Sequence, residues 1–249
     1  MSRDWDAATY DRIADPQLRW GAAVLERLTL DGAETVLDAG CGSGRVTELI
    51  AERFPGCRIV ALDGSPSMLE QARGRLERFD ARVVFVEADL MRPIPLDEPV
   101  DAVFSTATFH WVPDHDVLFA NLAGAMRPGV RLVAQCGGSG NLASVVKVLQ
   151  QLGADTFSGK VFATPEETEA RLDRAGFVDV ECWLHSEPTA FESPDALETF
   201  LRTVVLRDHV HGMTDDEAAA FTHSVAPRLP GLELDYVRLN IGATRAGSP

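Results

Sequence analysis

The chain is 249 residues long, 45% hydrophobic and 24% charged, with a formal net charge of −15. That length suits one α/β domain with insertions, and an acidic surface with no Lys/Arg run to offset it repels polyanions, so nucleic acid is not expected as a partner. No window approaches the roughly 18 to 20 unbroken apolar residues of a membrane span, and the opening MSRDWDAATYDRIAD lacks the apolar stretch of a secretory signal, so the expectation is a cytoplasmic chain with no membrane partner.

Residues 4 to 30 read as two helices, with Pro16 suited to the first turn of the second. Strands are expected at 35–39 (TVLDA), 57–63 (CRIVALD), 81–88 (ARVVFVEA), 100–107 (VDAVFSTA) and 130–137 (VRLVAQCG). Between them, Val46, Leu49, Ile50 and Phe54 share one helical face, and Met68, Leu69, Ala72 and Leu76 share the next. Alternating strands and helices of this kind build a mostly parallel sheet covered on both faces. Further on, TPEETEARLDRAGF carries Thr164 as N-cap, Pro165 at the first helical position, Glu167 to complete a capping box and Gly176 at the end. VDVECWLH then reads as a strand, SPDALETFLRTVVLRDHV from Ser193 and TDDEAAAFTHSVAPRL as helices, and LELDYVRLNIGATR as the closing strand. With no linker or repeat, 1–249 is read as one domain whose late helices are an insertion over the sheet. Cys41, Cys57, Cys136 and Cys182 form no C-x-x-C pair or zinc spacing, so free thiols and no metal are expected. Oligomeric state stays open.

The stretch VLDAGCGSGRV places Gly40, Gly42 and Gly44 between a strand that carries Asp38 and a helix. A turn without Cβ atoms lets a nucleotide-like ligand touch the backbone. Asp63, at the end of the second strand and nineteen residues after Gly44, is placed to accept from both ribose hydroxyls. The spacing is G-x-G-x-G rather than the dinucleotide G-x-G-x-x-G. An acid beside the loop opposes a pyrophosphate and favours a ligand with an ammonium or sulfonium end.

These residues resemble the class I S-adenosylmethionine-dependent methyltransferases, whose first motif is an acid followed by G-x-G-x-G. The resemblance spans nearly the whole chain. It implies a Rossmann-like α/β fold with a central, mostly parallel seven-stranded sheet, the last strand antiparallel. It also implies a cofactor-binding core at about 31–140, cap elements at 1–30 and 187–230, and S-adenosylmethionine as cofactor with S-adenosylhomocysteine as product. By that likeness Gly40 and Gly42 lie along the methionine moiety, Asp63 binds the ribose, Met68 packs on the adenine and Asp89 accepts from its amino group. Asp38, Gly44, Gly64, Leu90 and Ser105 join the cofactor-binding set. By the same resemblance Tyr10, Arg19 and Trp20 come from amino-terminal helices that fold over the cofactor's methyl group, with Arg19 a candidate for the methionine carboxylate or a substrate carboxylate and Trp20 for the substrate.

After the fourth strand, FHWVPD looks like the small-molecule carboxyl methyltransferases, notably the trans-aconitate and juvenile hormone acid types; YDRIADPQLRWG and LDYVRLNI look like the trans-aconitate type. His110-Trp111 stands where that type is associated with Gln-Trp. A small-molecule acceptor is therefore expected, foremost a carboxylic acid, which is already ionised and needs no base. Methylation of O, N or C on another scaffold would make His110 the general base, with Tyr10 as a second catalytic candidate. Trp111 and Arg207 are candidate substrate contacts, and His115 and His185 read as surface or strand residues. An NAD-dependent oxidoreductase or a nonenzymatic cofactor binder remains as an alternative.

Overall fold

The computed structural model describes residues 15–247. Tyr10 and the first of the two expected amino-terminal helices lie outside the described residues. The chain enters through helix α1 (Asp15–Leu25) and then alternates β1 (Thr35–Ala39), α2 (Arg45–Arg53), β2 (Arg58–Asp63), α3 (Pro66–Leu76), β3 (Val83–Glu87) and β4 (Val100–Thr106). After β4 come α4 (His115–Ala125), β5 (Met126–Gly137), α5 (Ala143–Gln151), α6 (Pro165–Arg174) and β6 (Phe177–Ser186). The remainder is β7 (Thr189–Ala190), α7 (Pro194–Phe200), α8 (Arg207–Val210), α9 (Asp215–Val225), β8 (Glu233–Leu234) and β9 (Val237–Arg245).

Among the described residues the strands form a seven-stranded sheet of order β3-β2-β1-β4-β5-β9-β6, with β9 antiparallel to both neighbours, and β7 and β8 pair as a small ribbon. This is the Rossmann-like sheet expected from the sequence. Period-2 alternation splits β1 between two cores: Val36 packs with Ile50, Ile59 and Leu69, whereas Leu37 packs with Leu118, Phe119 and Leu132 on the other face. A third cluster joins Trp20 of α1 to Val145 and Leu149 of α5, Phe200 of α7 and Val225 of α9. Among the described residues no helix is long and apolar enough to cross a membrane.

The local signals act as their chemistry requires. Ser65 caps α3 by accepting from the Met68 amide at 3.4 Å, and Thr164 and Glu167 close the expected capping box on α6, with Gly176 at φ 82 just beyond. Thr214 and Glu217 do the same for α9. Four expectations change. β5 begins at Met126, directly out of α4. The helix from Ser193 is interrupted by a π-turn over Leu201–Val205, closed by the Leu206 amide on the Leu201 carbonyl at 2.7 Å, which turns Leu201, Val205 and Leu206 into the third cluster. Helix α5 was not foreseen, because its cap comes from far along the chain: Asp235 accepts from the Ser144 amide at 2.9 Å and hydroxyl at 2.6 Å. That duty also explains why the closing strand divides into β8 and β9 on either side of Asp235.

Candidate active site

The three glycines of the β1 to α2 turn answer three different constraints. Gly40 and Cys41 donate their amides to the Leu62 carbonyl at 2.8 Å each, folding the turn against the end of β2. Gly40 has φ 89, and a Cβ there would lie 2.2 Å from Thr108 Oγ1. Gly44, at φ 81, lets α2 approach α3, its Cβ position being 3.2 Å from the Ala72 backbone. Gly42, at φ 54, faces open space: among the described residues, its chain neighbours aside, no atom lies within 4 Å of a Cβ built there. Packing explains Gly40 and Gly44; at Gly42 the left-handed backbone borders a space that a ligand can fill.

Two carboxylates stand at the carboxyl ends of the strands beside this turn, Asp38 on β1 and Asp63 on β2. Asp63 accepts from the amides of Gly42 and Ser65, both at 2.9 Å, so it fixes the turn as well as facing it, and burial raises its pKa. Asp38 is buried and accepts from Thr47 Oγ1 at 2.6 Å. Burial pushes its carboxyl up to about 7 against that hydrogen bond, with Asp63 adding to the rise. An acid poised so close to neutrality is settled by a cation, not by a phosphate. Met68 of α3 and Leu90, beyond β3, are buried, and exposed Asp89 accepts from the Met91 amide at 2.9 Å. Gly64 follows Asp63 directly, and Ser105 gives its hydroxyl to the Ala39 carbonyl at 2.6 Å, tying β4 to β1.

Beyond β4 the chain turns through Ala107, at φ 55, into a short 3-10 helix, Phe109–Trp111. His110 and Trp111 line a cleft with Gln17 and Trp20 of α1, Lys160, and Arg238 of β9. The Gly137 amide donates to His110 Nδ1 at 3.3 Å, and Phe162 stacks on the ring with centroids 5.9 Å apart. Burial, with Arg238, Lys160 and His115 adding repulsion, pulls the His110 pKa well below its usual value. Lys160 is almost enclosed, its ammonium 4.1 Å from the Trp111 ring centre, 4.4 Å from that of Phe157 and 3.9 Å from Asp208 Oδ2. Arg238 is 2% exposed, lies 4.4 Å over the Trp20 ring, and donates from Nε to Gln135 at 3.3 Å; Gln135 in turn donates to Asn240 at 2.9 Å.

A methyltransferase domain model matches residues 36–129. A trans-aconitate 2-methyltransferase of Delftia acidovorans is 30% identical over 237 residues, covering 88% of this chain and 86% of that protein. The trans-aconitate 2-methyltransferase of Methylobacterium radiotolerans is 40% identical over 132 residues, 53% of this chain and 49% of its own length, so the match spans about half of that relative. Phosphoethanolamine N-methyltransferase 2 of Haemonchus contortus, solved with phosphomonomethylethanolamine and S-adenosylhomocysteine, shares the fold: TM-score 0.66 at 21% identity, covering 97% of this chain and 57% of that one. The chain belongs to the class I S-adenosylmethionine-dependent methyltransferases.

The family's cofactor fits the residues present: the open side of Gly42, the carboxylate of Asp63 and the buried Asp38 would offer it a glycine cradle, a hydroxyl acceptor and an acid for a cationic end. Of the expected substrate contacts, Trp20 and Trp111 line the cleft, whereas Arg207 pairs with Asp208 at 3.8 Å and is not among the lining residues. Arg19 is 64% exposed and pairs with Glu187 at 3.2 Å, also away from the cleft lining. His115, expected at the surface or in a strand, opens α4 and is buried, because its Nε2 meets the Phe109 carbonyl at 2.9 Å and its ring packs edge-on to Phe119. His185 is on β6 as expected, paired with Glu187. Sequence reading missed Lys160, Arg238 and Gln17. Two signals were there: Lys160 is one of only two lysines in the chain, close to Phe157 and Phe162, and Arg238 interrupts the apolar closing strand.

Proposed function

We propose that this methyltransferase esterifies a small carboxylic acid, moving a methyl group from S-adenosylmethionine to a carboxylate oxygen. The observation that carries the reading is the pair of buried cations, Arg238 and Lys160, in the wall of one cleft of a protein whose net charge is −15. Lys160 has Asp208 beside it and Arg238 is held by Gln135, and the two positive charges together give the cleft a field that favours an anionic ligand. The names of the trans-aconitate 2-methyltransferases related to this chain support an acid as acceptor.

Bound S-adenosylmethionine supplies an electrophilic methyl group on a positive sulfur. Asp38, Gly42 and Asp63 hold that molecule at the carboxyl ends of β1 and β2. Arg238 and Lys160 draw in the acceptor's charge, and the rings of Trp111 and Phe162 keep its reacting oxygen dry. Opposite charges cancel in the transition state, so alignment in a water-poor cleft is the main demand. No proton has to leave a carboxylate, and His110, with Nδ1 accepting from Gly137, serves as a neutral hydrogen-bond donor through Nε2.

The test is a panel of carboxylic acids, phenols and amines, read by S-adenosylhomocysteine release and by mass spectrometry of the product. Carboxylic acids should be the acceptors and yield base-labile methyl esters. Turnover of amines or phenols alone removes the reading. Calorimetry with NAD and S-adenosylhomocysteine side by side should give heat only with the latter.

A further inference from the structure

Two polar atoms in the cleft lack a counterpart. Gln17 Oε1 and Trp20 Nε1 are enclosed and have no hydrogen-bond partner among the described residues. Both side chains line the cleft, and both come from α1, three residues apart and so on the same helical face. An enclosed donor and an enclosed acceptor left unmade are expensive, and native proteins satisfy nearly all such groups. The arrangement asks for one ligand group that both accepts, from the indole N–H, and donates, to the amide oxygen.

A carboxylate offers only acceptors and a hydrocarbon neither. A hydroxyl offers both. The position is informative as well, because the guanidinium of Arg238 lies 4.4 Å over the same Trp20 ring. A group held by the indole N–H is thus a close neighbour of a charge held by Arg238. Resting on the carboxyl-acceptor reading above, we propose that the acceptor is a hydroxy acid, with a hydroxyl on a carbon close to a carboxylate, and that Gln17 and Trp20 select it. The hydroxyl donates to Gln17 Oε1 and accepts from Trp20 Nε1, while a neighbouring carboxylate meets Arg238. Gln17 and Trp20 are specificity residues, separate from the cations that bind the acid group.

The experiment compares acids that differ only by the hydroxyl, malate against succinate and 3-hydroxybutyrate against butyrate. Turnover is followed by S-adenosylhomocysteine release, and binding by calorimetry on the full chain saturated with S-adenosylhomocysteine. The hydroxy member of a pair should be favoured about tenfold or more in kcat/KM, since its partner leaves two buried groups unmade. In Gln17→Leu the preference should shrink to within about threefold. The wild-type comparison stands by itself if that variant does not fold. Equal use of both members, or a preference unchanged in folded Gln17→Leu, overturns the hydroxy-acid proposal and leaves the carboxyl reading standing. If no acid of either kind binds or is methylated, both fall together.

Discussion

The amide of Gly137 donates to Nδ1 of His110 at 3.3 Å, and this fixes what the imidazole offers the cleft. A neutral ring that accepts at Nδ1 carries its hydrogen on Nε2. Burial and the neighbouring charges of Arg238 and Lys160 keep it neutral well below the usual histidine range. A base would need a free lone pair; this ring has a hydrogen to give instead.

His110→Gln keeps a donor at the end of the side chain and should retain activity within about fivefold of wild type. His110→Ala, which loses it, should cost roughly tenfold to a hundredfold in kcat/KM, the range of one buried hydrogen bond. Steady-state kinetics with the best acid decides. A loss beyond about a thousandfold in both variants would falsify the donor role and reinstate a general base.

Gly42 and Gly44 separate ligand space from packing space. Gly42→Ala adds a methyl on the open side at φ 54, and Gly44→Ala pushes one against Ala72 and Leu76 at φ 81. Both pay about 1 to 2 kcal/mol for the left-handed backbone. Gly42→Ala should therefore lose cofactor affinity, at least tenfold by calorimetry, for a small fall in Tm. In Gly44→Ala the larger effect should be on Tm.

Asp38 links cofactor binding to pH. Its carboxyl is raised from 3.8 to about 7, and a cationic cofactor end favours the ionised form. Affinity for S-adenosylmethionine should be full above about pH 7 and weaken as pH falls through it, with protons released on binding below that point. In the unliganded protein the sign is reversed: the raised value adds stability at acid pH that is lost as pH rises from 3.8 to about 7. Asp38→Asn should flatten both dependences; a calorimetric affinity that is level from pH 5.5 to 8 in the wild type sinks the assignment.

Lys160 sets a limit on the alkaline side. Burial lowers its amine from 10.5 to about 8, with Asp208 and Asp155 pulling upward and Arg207 downward. The ammonium is present below that value and lost as pH rises through it. KM for the acid should climb above about pH 8 while kcat stays nearly level, and Lys160→Arg, which keeps its charge, should remove the climb. A KM unaffected from pH 7 to 9.5 counts against Lys160 as an acceptor contact.

The sheet and the cofactor side were legible because their causes are local. The glycine turn directly follows β1 and the capping box of α6 spans three residues, while Asp63, whose Gly42 partner lies 21 residues earlier, shows by ending a strand. The acceptor side was legible only in part. Trp20 and Trp111 were found through resemblance, but Lys160 sits in a loop without periodicity, and Arg238 is held by Gln135, 103 residues earlier. Helix α5 was lost for the same reason, its cap lying 91 residues downstream at Asp235.

β9 joins two parts of the sheet. β5 and β6 share a sheet only through this last strand, which lies between them and delivers Arg238 to the cleft. On the reading proposed above, the donor is held by one continuous stretch, Asp38 to Leu90, whereas the acceptor cleft is assembled from distant segments that supply Gln17 and Trp20, His110 and Trp111, Lys160, and Arg238. Substitutions at Gln17, Lys160 or Arg238 would then be free to change what is methylated without touching the stretch that holds the methyl donor.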